Sequence, residues 1–210
     1  MKNYENLQAG KLFKTDSYLV ERLSSCWEKL VKLNTETNRE ERSKICKEIF
    51  GSFGKSTVLS PFRCDYGENI FIEDNSFINF NVSMVDLGKI KIGNRVLIGP
   101  GTGLFTAIHP IDPEIRATGI EKGVDIILED DVRIGGNVTI LPGVTIGKGS
   151  IIGAGAVVSK DIPEMSIALG NPAKVVRKIT KEDQKYWQGE YEDYLREVGE
   201  YEDYLREVGE

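Results

Sequence analysis

Between Leu128 and Lys160 an aliphatic residue returns at every sixth position of the chain. These residues are Leu128, Ile134, Ile140, Ile146, Ile152 and Val158, with small or β-branched residues at Val132, Val138, Val144, Ser150 and Ala156. A six-residue unit holds one short strand and a tight turn, so it cannot bury its aliphatic side chain alone. The repeat therefore predicts the stacked coils of a parallel β-helix.

The same period begins near Val58 and is interrupted once. Ile72, Ile78, Met84 and Ile90 keep it, the register then shifts by two, and Ile92, Ile98 and Leu104 resume it. Residues 86–89 lie just before this shift and are predicted to form a corner loop. Residues 106–124 break the period with prolines, glycines and charged residues, which predicts an extruded loop. Insertions of this kind gather on the functional face of repeat proteins.

The segment before the repeat has a helical pattern. A helix capped by Asp16 or Ser17 is predicted to bury one apolar face, formed by Leu19, Val20, Leu23, Cys26, Trp27, Leu30 and Val31. A second helix is predicted to start at Thr37, where Thr37 and Glu40 fit a capping box. Because the open end of a solenoid needs a cover, both helices should pack on the coils.

The chain is therefore expected to contain three parts. Residues 1–56 form an N-terminal helical cap, and residues 57–179 form the β-helix with its extruded loop 106–124. Residues 180–210 form a helical tail capped by Thr180, in which the decapeptide of residues 191–200 recurs identically as residues 201–210. The predicted fold class is mainly β.

Charge and cysteine content narrow the function classes. The chain has 27 basic and 33 acidic residues, and the two decapeptides account for the whole net charge of −6. A neutral solenoid without a basic run does not favour nucleic-acid binding. Three cysteines without metal-ligand spacing predict free thiols, with no disulfide framework and no metal site. The sequence contains no apolar run long enough to predict a membrane span. It also shows no N-terminal leader pattern that would predict export, so the cytoplasm is the expected compartment.

His109 is the only histidine, and it lies at the head of the extruded loop, which Pro110 and Pro113 stiffen. Histidine is the side chain best suited to general-base chemistry near neutral pH. The alternative is that a single loop histidine is an ordinary surface residue.

Five segments, taken in order, resemble one family. They are AGKLF near the N-terminus, PFRCDYGENIFIEDNSFINFN at 61–81, TAIHPID at 106–112, GGNVTILPGVTIGKGSIIGAGAVVSKDIP at 135–163 and GNPAKVVRKI at 170–179. Together they resemble the sugar O-acetyltransferases of the maltose/galactoside group, which are hexapeptide-repeat enzymes dependent on acetyl-CoA. The resemblance implies a left-handed parallel β-helix and a homotrimer with active sites between subunits. It also implies a small-molecule hydroxyl acceptor, expected to be a sugar.

The resemblance implies direct acetyl transfer without an acetyl-enzyme. His109 matches the base that takes the proton from the acceptor hydroxyl. Asn79 matches a site asparagine, and its alternative role is that of a turn residue in the solenoid. Gly136 stands where the family offers a backbone N–H near the thioester carbonyl. An oxyanion formed at that carbon needs such preorganised donors.

The resemblance places four residues on the acceptor side. Asp16 and Asp65 match acceptor-binding positions, and Asp86 lies near a third, although Leu87 replaces the acid that often follows it. Carboxylates suit sugar hydroxyls because they accept hydrogen bonds without bulk. Asp16 also fits an N-cap. Arg133 stands where relatives often carry tryptophan, which predicts a changed acceptor preference.

The last coils are expected to bind acetyl-CoA. The matching positions are Ala154, Ser159, Lys160, Lys174 and Arg177. Cations suit the clustered phosphates of CoA because they form charge-assisted hydrogen bonds with them. Lys174 stands where relatives commonly have arginine, and a lysine cannot form the two parallel hydrogen bonds that a guanidinium makes to a phosphate.

Three alternatives to this function differ in how well the sequence supports them. The same reaction on an antibiotic, an amino acid or a surface polysaccharide stays open. A γ-class carbonic anhydrase is excluded, because its metal needs three histidines and each chain has one. A non-catalytic binding solenoid is disfavoured by the joint presence of His109, Asn79 and the cationic tail.

Overall fold

The hexad repeat forms three faces of short parallel strands around one aliphatic core. The computed structural model describes residues 1–200, so the second decapeptide, residues 201–210, lies outside the described residues. The helices are α1 (Lys2–Gln8), α2 (Ser17–Thr35), α3 (Arg39–Ile49), α4 (Pro113–Ala117) and α5 (Lys181–Val198). The strands are β1 (Phe13–Lys14), β2 (Ser52–Phe53), β3 (Thr57–Val58), β4 (Phe62–Cys64), β5 (Ile70–Ile72), β6 (Phe77–Ile78), β7 (Val82–Val85), β8 (Ile90–Ile92), β9 (Leu97–Ile98), β10 (Gly103–Phe105), β11 (Ala107–Ile108), β12 (Ile120–Gly123), β13 (Ile126–Leu128), β14 (Arg133–Ile134), β15 (Thr139–Ile140), β16 (Thr145–Ile146), β17 (Ile151–Ile152), β18 (Val157–Val158), β19 (Ser166–Leu169) and β20 (Lys174–Lys178).

Every third strand of the solenoid joins the same sheet. Face 1 contains β2, β5, β8, β13 and β16, face 2 contains β3, β6, β9, β14, β17, β19 and β20, and face 3 contains β4, β7, β10, β15 and β18. The chain runs from face 1 to face 2 to face 3 and back, so equivalent turns stack. We call these stacks corner 1/2, corner 2/3 and corner 3/1. The predicted fold class, a left-handed parallel β-helix with N-terminal helices and a C-terminal helix, is confirmed.

The apparent shift of register at Ile90 and Ile92 is not a break in the coils. Both residues lie in β8, and both are buried. Side chains two apart on a strand point to the same side, so a three-residue strand contributes two residues to the core. β5 does the same with Ile70 and Ile72. The shift therefore reflects the longer strands of face 1, and the stack stays in register across it.

The N-terminal helices cover the first coil, and Asn34 joins them to face 3. Its side-chain amide donates to the Phe62 carbonyl at 3.0 Å and accepts from the Phe62 N–H at 2.9 Å, as a neighbouring strand would. Leu33 and Ile49 lie in the same core cluster as the aliphatic stack. The predicted start of α3 was one residue early, because Asn38 is the N-cap and accepts from two backbone N–H groups.

Helix α2 buries less of its apolar face than the sequence predicted. Leu19 and Leu30 are buried, whereas Val20, Trp27 and Val31 stay about half exposed. The apolar face predicted from the sequence is wider than the part of the helix surface that contacts the rest of the chain, so the residues at its edge stay exposed. An apolar stripe of α2 therefore remains open.

The extruded loop 106–124 contains structure of its own. β11 and β12 form an antiparallel hairpin with α4 at its tip, and β1 pairs with the outer side of β12. At the base of the hairpin, a Cβ on Gly123 would lie 2.2 Å from the backbone carbonyl carbon of Leu87. Only glycine lets the hairpin sit directly on corner 3/1. The N-terminal segment and the loop thus form one sheet, which the sequence did not predict.

The chain divides into two compact units, residues 1–177 and the residues from 178 onward. In the second unit, Thr180 caps α5 through a capping box with Asp183, as predicted for Thr180. Among residues 1–200, no helix has both the length and the apolar character needed to cross a membrane.

Candidate active site

The predicted base, His109, follows β11 directly and faces a carboxylate. Its Nε2 lies 3.7 Å from Oε2 of Glu121, and the histidine side chain is 57% exposed against 19% for the glutamate. The antiparallel register of β11 and β12 produces this pairing, because Ile108 lies opposite Lys122. The structure thus presents an accessible imidazole with a half-buried acid behind it.

Glu121 is held in place by the N-terminal segment. The Thr15 hydroxyl donates to its Oε1 at 3.2 Å, and Phe13 of β1 pairs with it in the sheet. One carboxylate oxygen is therefore engaged, and the other is turned to His109. Sequence reasoning missed Glu121. The usable signal was the pair of short strand-like segments on either side of the Pro113–Gly119 stretch, whose pairing sets residue 121 against residue 109.

Asp65 belongs to the same cluster. It is partly buried at the end of β4, and burial, with a contribution from the charge of Glu121, raises the pKa of its carboxyl above its ordinary value. Its carboxylate oxygens can accept hydrogen bonds from hydroxyl groups. It is placed well to contact a hydroxyl-rich acceptor beside His109.

Asp86 lies beneath Asp65 and is completely buried. Its Oδ1 accepts from the N–H groups of Asp65 and Tyr66, both at 2.9 Å, and Asn69 donates to its carbonyl. Its Oδ2 is buried and has no partner among the described residues. Burial raises the pKa of Asp86 to about 7, against the lowering effect of the two N–H groups. Within one chain, Asp86 shapes the turn that carries Asp65 and offers no surface to an acceptor, contrary to the predicted direct contact.

Asp16 has the capping geometry that the sequence left open as an alternative. Its Oδ1 accepts from the Leu19 N–H at 3.1 Å, and its Oδ2 accepts from the Asn3 amide at 3.1 Å. These hydrogen bonds, the Leu19 N–H first, lower the pKa of Asp16. The carboxylate is ionised at neutral pH and lies just beyond Thr15, the residue that holds Glu121.

A second group of predicted residues lies along corner 2/3. Asn79 follows β6, Gly136 follows β14 and Ala154 follows β17. Asn79 Oδ1 accepts from the Phe80 N–H at 2.8 Å, which leaves its Nδ2 as the donor for a ligand. The Gly136 carbonyl accepts from Gly155, whereas its N–H has no acceptor among residues 1–200. Strand β9 lies between β6 and β14, so these two hydrogen-bond donors lie two coils apart along the corner.

The two groups do not meet within one chain. Face 3 separates corner 2/3 from corner 3/1, and its strand β7 is four residues long. At 3.3 Å per residue the face is about 13 Å wide. The base cluster and the donors of corner 2/3 therefore lie at opposite edges of that face.

The remaining predicted residues are exposed. Arg133 projects from face 2 between Leu97 and Ile151, in an otherwise apolar row. Ser159 and Lys160 lie in the turn after β18, at corner 3/1 of the last coil. Lys174 and Arg177 lie on β20, all of whose residues are exposed. The cationic residues thus occupy the C-terminal end of the solenoid.

The comparisons with known proteins agree with this architecture. Residues 125–160 match the family described as bacterial transferase hexapeptide (six repeats). The galactoside O-acetyltransferase of Escherichia coli (strain K12) is 38% identical over 153 residues, which cover 72% of this chain and 75% of that protein.

Solved structures extend the likeness to the fold. A maltose O-acetyltransferase from Clostridium difficile 630 matches with a TM-score of 0.84 at 41% identity, over 86% of this chain and 98% of that one. A hexapeptide-repeat acetyltransferase from Vibrio cholerae O1 biovar eltor, solved with acetyl coenzyme A, matches with a TM-score of 0.81 at 38% identity, over 86% and 100%. The chain therefore belongs to the hexapeptide-repeat acetyltransferases, in the group of the galactoside and maltose O-acetyltransferases.

Proposed function

We propose that the protein transfers an acetyl group from acetyl-CoA directly to a hydroxyl of a sugar or glycoside. The observation that carries the proposal is the accessible imidazole of His109 facing Glu121, whose charge also acts on Asp65. A sugar hydroxyl is a weak nucleophile at neutral pH and needs a positioned base. The names of the relatives, galactoside and maltose O-acetyltransferase, support a sugar acceptor.

In the proposed reaction His109 takes the proton as the acceptor oxygen attacks the thioester carbonyl. The neighbouring carboxylate of Glu121 stabilises the positive charge of the imidazolium that forms. The oxyanion accepts a hydrogen bond from a donor of corner 2/3, either the Nδ2 of Asn79 or the N–H of Gly136 two coils away, and the CoA thiolate leaves as the intermediate collapses. His109 then returns its proton to the thiolate, so the enzyme ends unchanged. Asp65 and Asp16 orient the acceptor, while Asp86 fixes the turn that carries Asp65.

A second copy of the chain completes this site. The base cluster and the oxyanion donors lie at opposite edges of face 3, so one chain cannot bring both to one substrate. A homotrimer, in which corner 3/1 of one copy meets corner 2/3 of the next, brings them together. The outward apolar residues of face 2, such as Leu97 and Ile151, offer surface for that contact.

The cofactor arm is assigned to the C-terminal coils. In the proposed complex Ala154 and Ser159 contact the pantetheine chain, and Lys160, Lys174 and Arg177 contact the phosphates. Charge-assisted hydrogen bonds from these cations would hold the clustered phosphate charge.

The test is a CoA-release screen in which free CoA and acetylated product are separated chromatographically. Acetyl-CoA is offered with monosaccharides, disaccharides and simple glycosides, and wild type is compared with His109→Ala. Ile111→Ala is the matched control, since Ile111 is 95% exposed in the same loop. Release that requires both acceptor and His109, and that Ile111→Ala leaves intact, supports the proposal. If no sugar raises CoA release above the rate of His109→Ala, the proposal fails.

A further inference from the structure

A groove between helix α2 and face 3 opens beside the base cluster. Its volume is about 590 Å³, within the usual range of ligand pockets, roughly 300–1,000 Å³. Trp27 and Leu23 line it from the helix, and Arg63 and Ser83 line it from strands β4 and β7. Asp65 lines the groove as well, and the charge of Glu121 acts on Asp65. The groove therefore leads from α2 to the residues that surround His109.

Trp27 is the unusual member of this lining. It is 51% exposed, although its neighbour Cys26 is buried in the core. The guanidinium of Arg63 lies 4.7 Å from the centre of its ring and fixes the orientation of the indole. A large apolar ring held open at a groove loses the free energy that burial would give it. A ligand that packed on this ring would bury it and recover that free energy.

The other residues that line the groove indicate which class of ligand it can bind. Ser24 and Ser83 provide hydroxyl groups, and Asp65 and Glu28 provide carboxylates around one cation, Arg63. A pyranose ring has a C–H face that packs on an aromatic ring and a rim of hydroxyls that hydrogen-bond to such groups. The mixed charges of the rim suit a neutral ring better than an anionic one.

We propose that this groove is a second acceptor subsite, in which Trp27 packs against the neighbouring ring of a neutral disaccharide or longer glycoside. The proposal rests on the proposed function and narrows its substrate class. One ring of the acceptor presents its hydroxyl to His109, and the next ring extends past Asp65 onto Trp27. Trp27 acts as a specificity-determining residue for acceptor length, without contact with the reacting atoms.

Binding can be tested without catalysis. The chain has two tryptophans, so Trp187→Phe leaves Trp27 as its only one. This variant is titrated with maltose, lactose or glucose in the absence of acetyl-CoA while indole emission is recorded. We expect a saturable change with a disaccharide and a much weaker one with glucose. A flat response to both disaccharides overturns the proposal, even if the enzyme acetylates sugars.

Kinetics give the second readout. Trp27→Ala should lower kcat/KM for the preferred disaccharide about three- to tenfold, the range expected for loss of one aromatic contact, and change kcat/KM for the monosaccharide less than twofold. Trp27→Tyr should keep most of the preference, and Trp187→Ala, the matched control, should keep all of it. An equal loss on both acceptors, or a change of oligomeric mass in Trp27→Ala, overturns the proposal by showing a structural or interface role. Absence of sugar-dependent CoA release in every variant refutes the proposed function, while the emission titration still decides the groove.

Discussion

Corner 2/3 and corner 3/1 of the same solenoid are built in different ways. At corner 2/3 the turns stack at a fixed period, and Asn79, Gly136 and Ala154 take their positions from it. At corner 3/1 the period is interrupted by the hairpin, and residues 106–124 pair with β1 from the other end of the chain. The regular corner offers backbone and amide donors at set heights, and the irregular corner supplies the acids and the base.

The difference assigns a distinct task to each corner. An oxyanion needs rigid donors, which stacked turns provide because each turn is fixed by those above and below. An acceptor needs a site shaped for it, and loops on a rigid scaffold vary most easily. In the proposed mechanism the base acts on the acceptor, and His109 lies at the irregular corner.

The largest expected effect comes from separating the two corners in mixed oligomers. His109→Ala and Asn79→Ala should each lower kcat/KM by roughly 10²–10⁴-fold, the range for loss of a general base or an oxyanion donor. If corner 3/1 of one copy meets corner 2/3 of the next, mixed trimers refolded from a 1:1 mixture of the two inactive variants contain intact sites. About a quarter of wild-type activity should return, since each site needs one unaltered residue from each of two random neighbours.

The measurement is CoA release before and after joint unfolding and refolding. Each variant refolded alone is the control, together with a mixture that is never unfolded. If activity stays absent from the refolded mixture while wild type recovers under the same treatment, the two corners do not complement each other across copies.

Substitution of Glu121 tests whether its charge contributes to the reaction, beyond holding His109 in position. Glu121→Gln keeps an oxygen for the Thr15 hydroxyl and removes the charge beside the imidazolium. We expect kcat to fall about 10–100-fold with a small change in the KM of the acceptor, because the charge acts mainly in the transition state. Thr15→Val, which removes only the hydroxyl, should cost about two- to fivefold. Equal kcat for Glu121→Gln and wild type would show that the contact is incidental.

The sequence predicted the two corners unequally, for a physical reason. Stacked coils are local, so the hexad period alone places Gly136 and Ala154. The pairing of β1 with β12 joins residues about a hundred positions apart, and no local pattern encodes it. The contact of Thr15 with Glu121 was missed for this reason, although His109 was found from its identity and position. The burial of Asp86 was missed similarly, because an aspartate in a polar corner segment is expected at the surface.

Asp86 allows corner 3/1 to be probed through stability. An unfolded aspartate titrates near pH 3.9, whereas Asp86 in the folded chain has a pKa of about 7. Between these values the folded state holds a proton that the unfolded state has released. Protonated Asp86 therefore contributes fully to the free energy of unfolding below about pH 4, and this contribution is lost as the pH rises through about 7. The total change in the free energy of unfolding is on the order of a few kcal/mol at most.

Asp86→Asn should remove this dependence, because its amide oxygen still accepts from Asp65 and Tyr66 but does not titrate. Urea unfolding from pH 4.5 to 7.5 should show a decline for wild type that is shallower in the variant. Asp65, whose pKa is also raised by burial, titrates in both proteins and contributes to the remaining slope. Parallel slopes would mean that Asp86 is already ionised at pH 4.5 in the folded chain.

The smallest expected effect concerns Arg133, which lies on face 2 away from the irregular corner. Its guanidinium interrupts the apolar row of Leu97 and Ile151, so anionic acceptors should be disfavoured less than they would be beside an apolar side chain. Arg133→Trp should shift the ratio of kcat/KM between an anionic and a neutral sugar about three- to tenfold toward the neutral one. Arg133→Lys keeps the charge and is the matched control, with a smaller shift. Identical acceptor preferences in wild type and Arg133→Trp would leave acceptor choice to corner 3/1 and the groove beside Trp27.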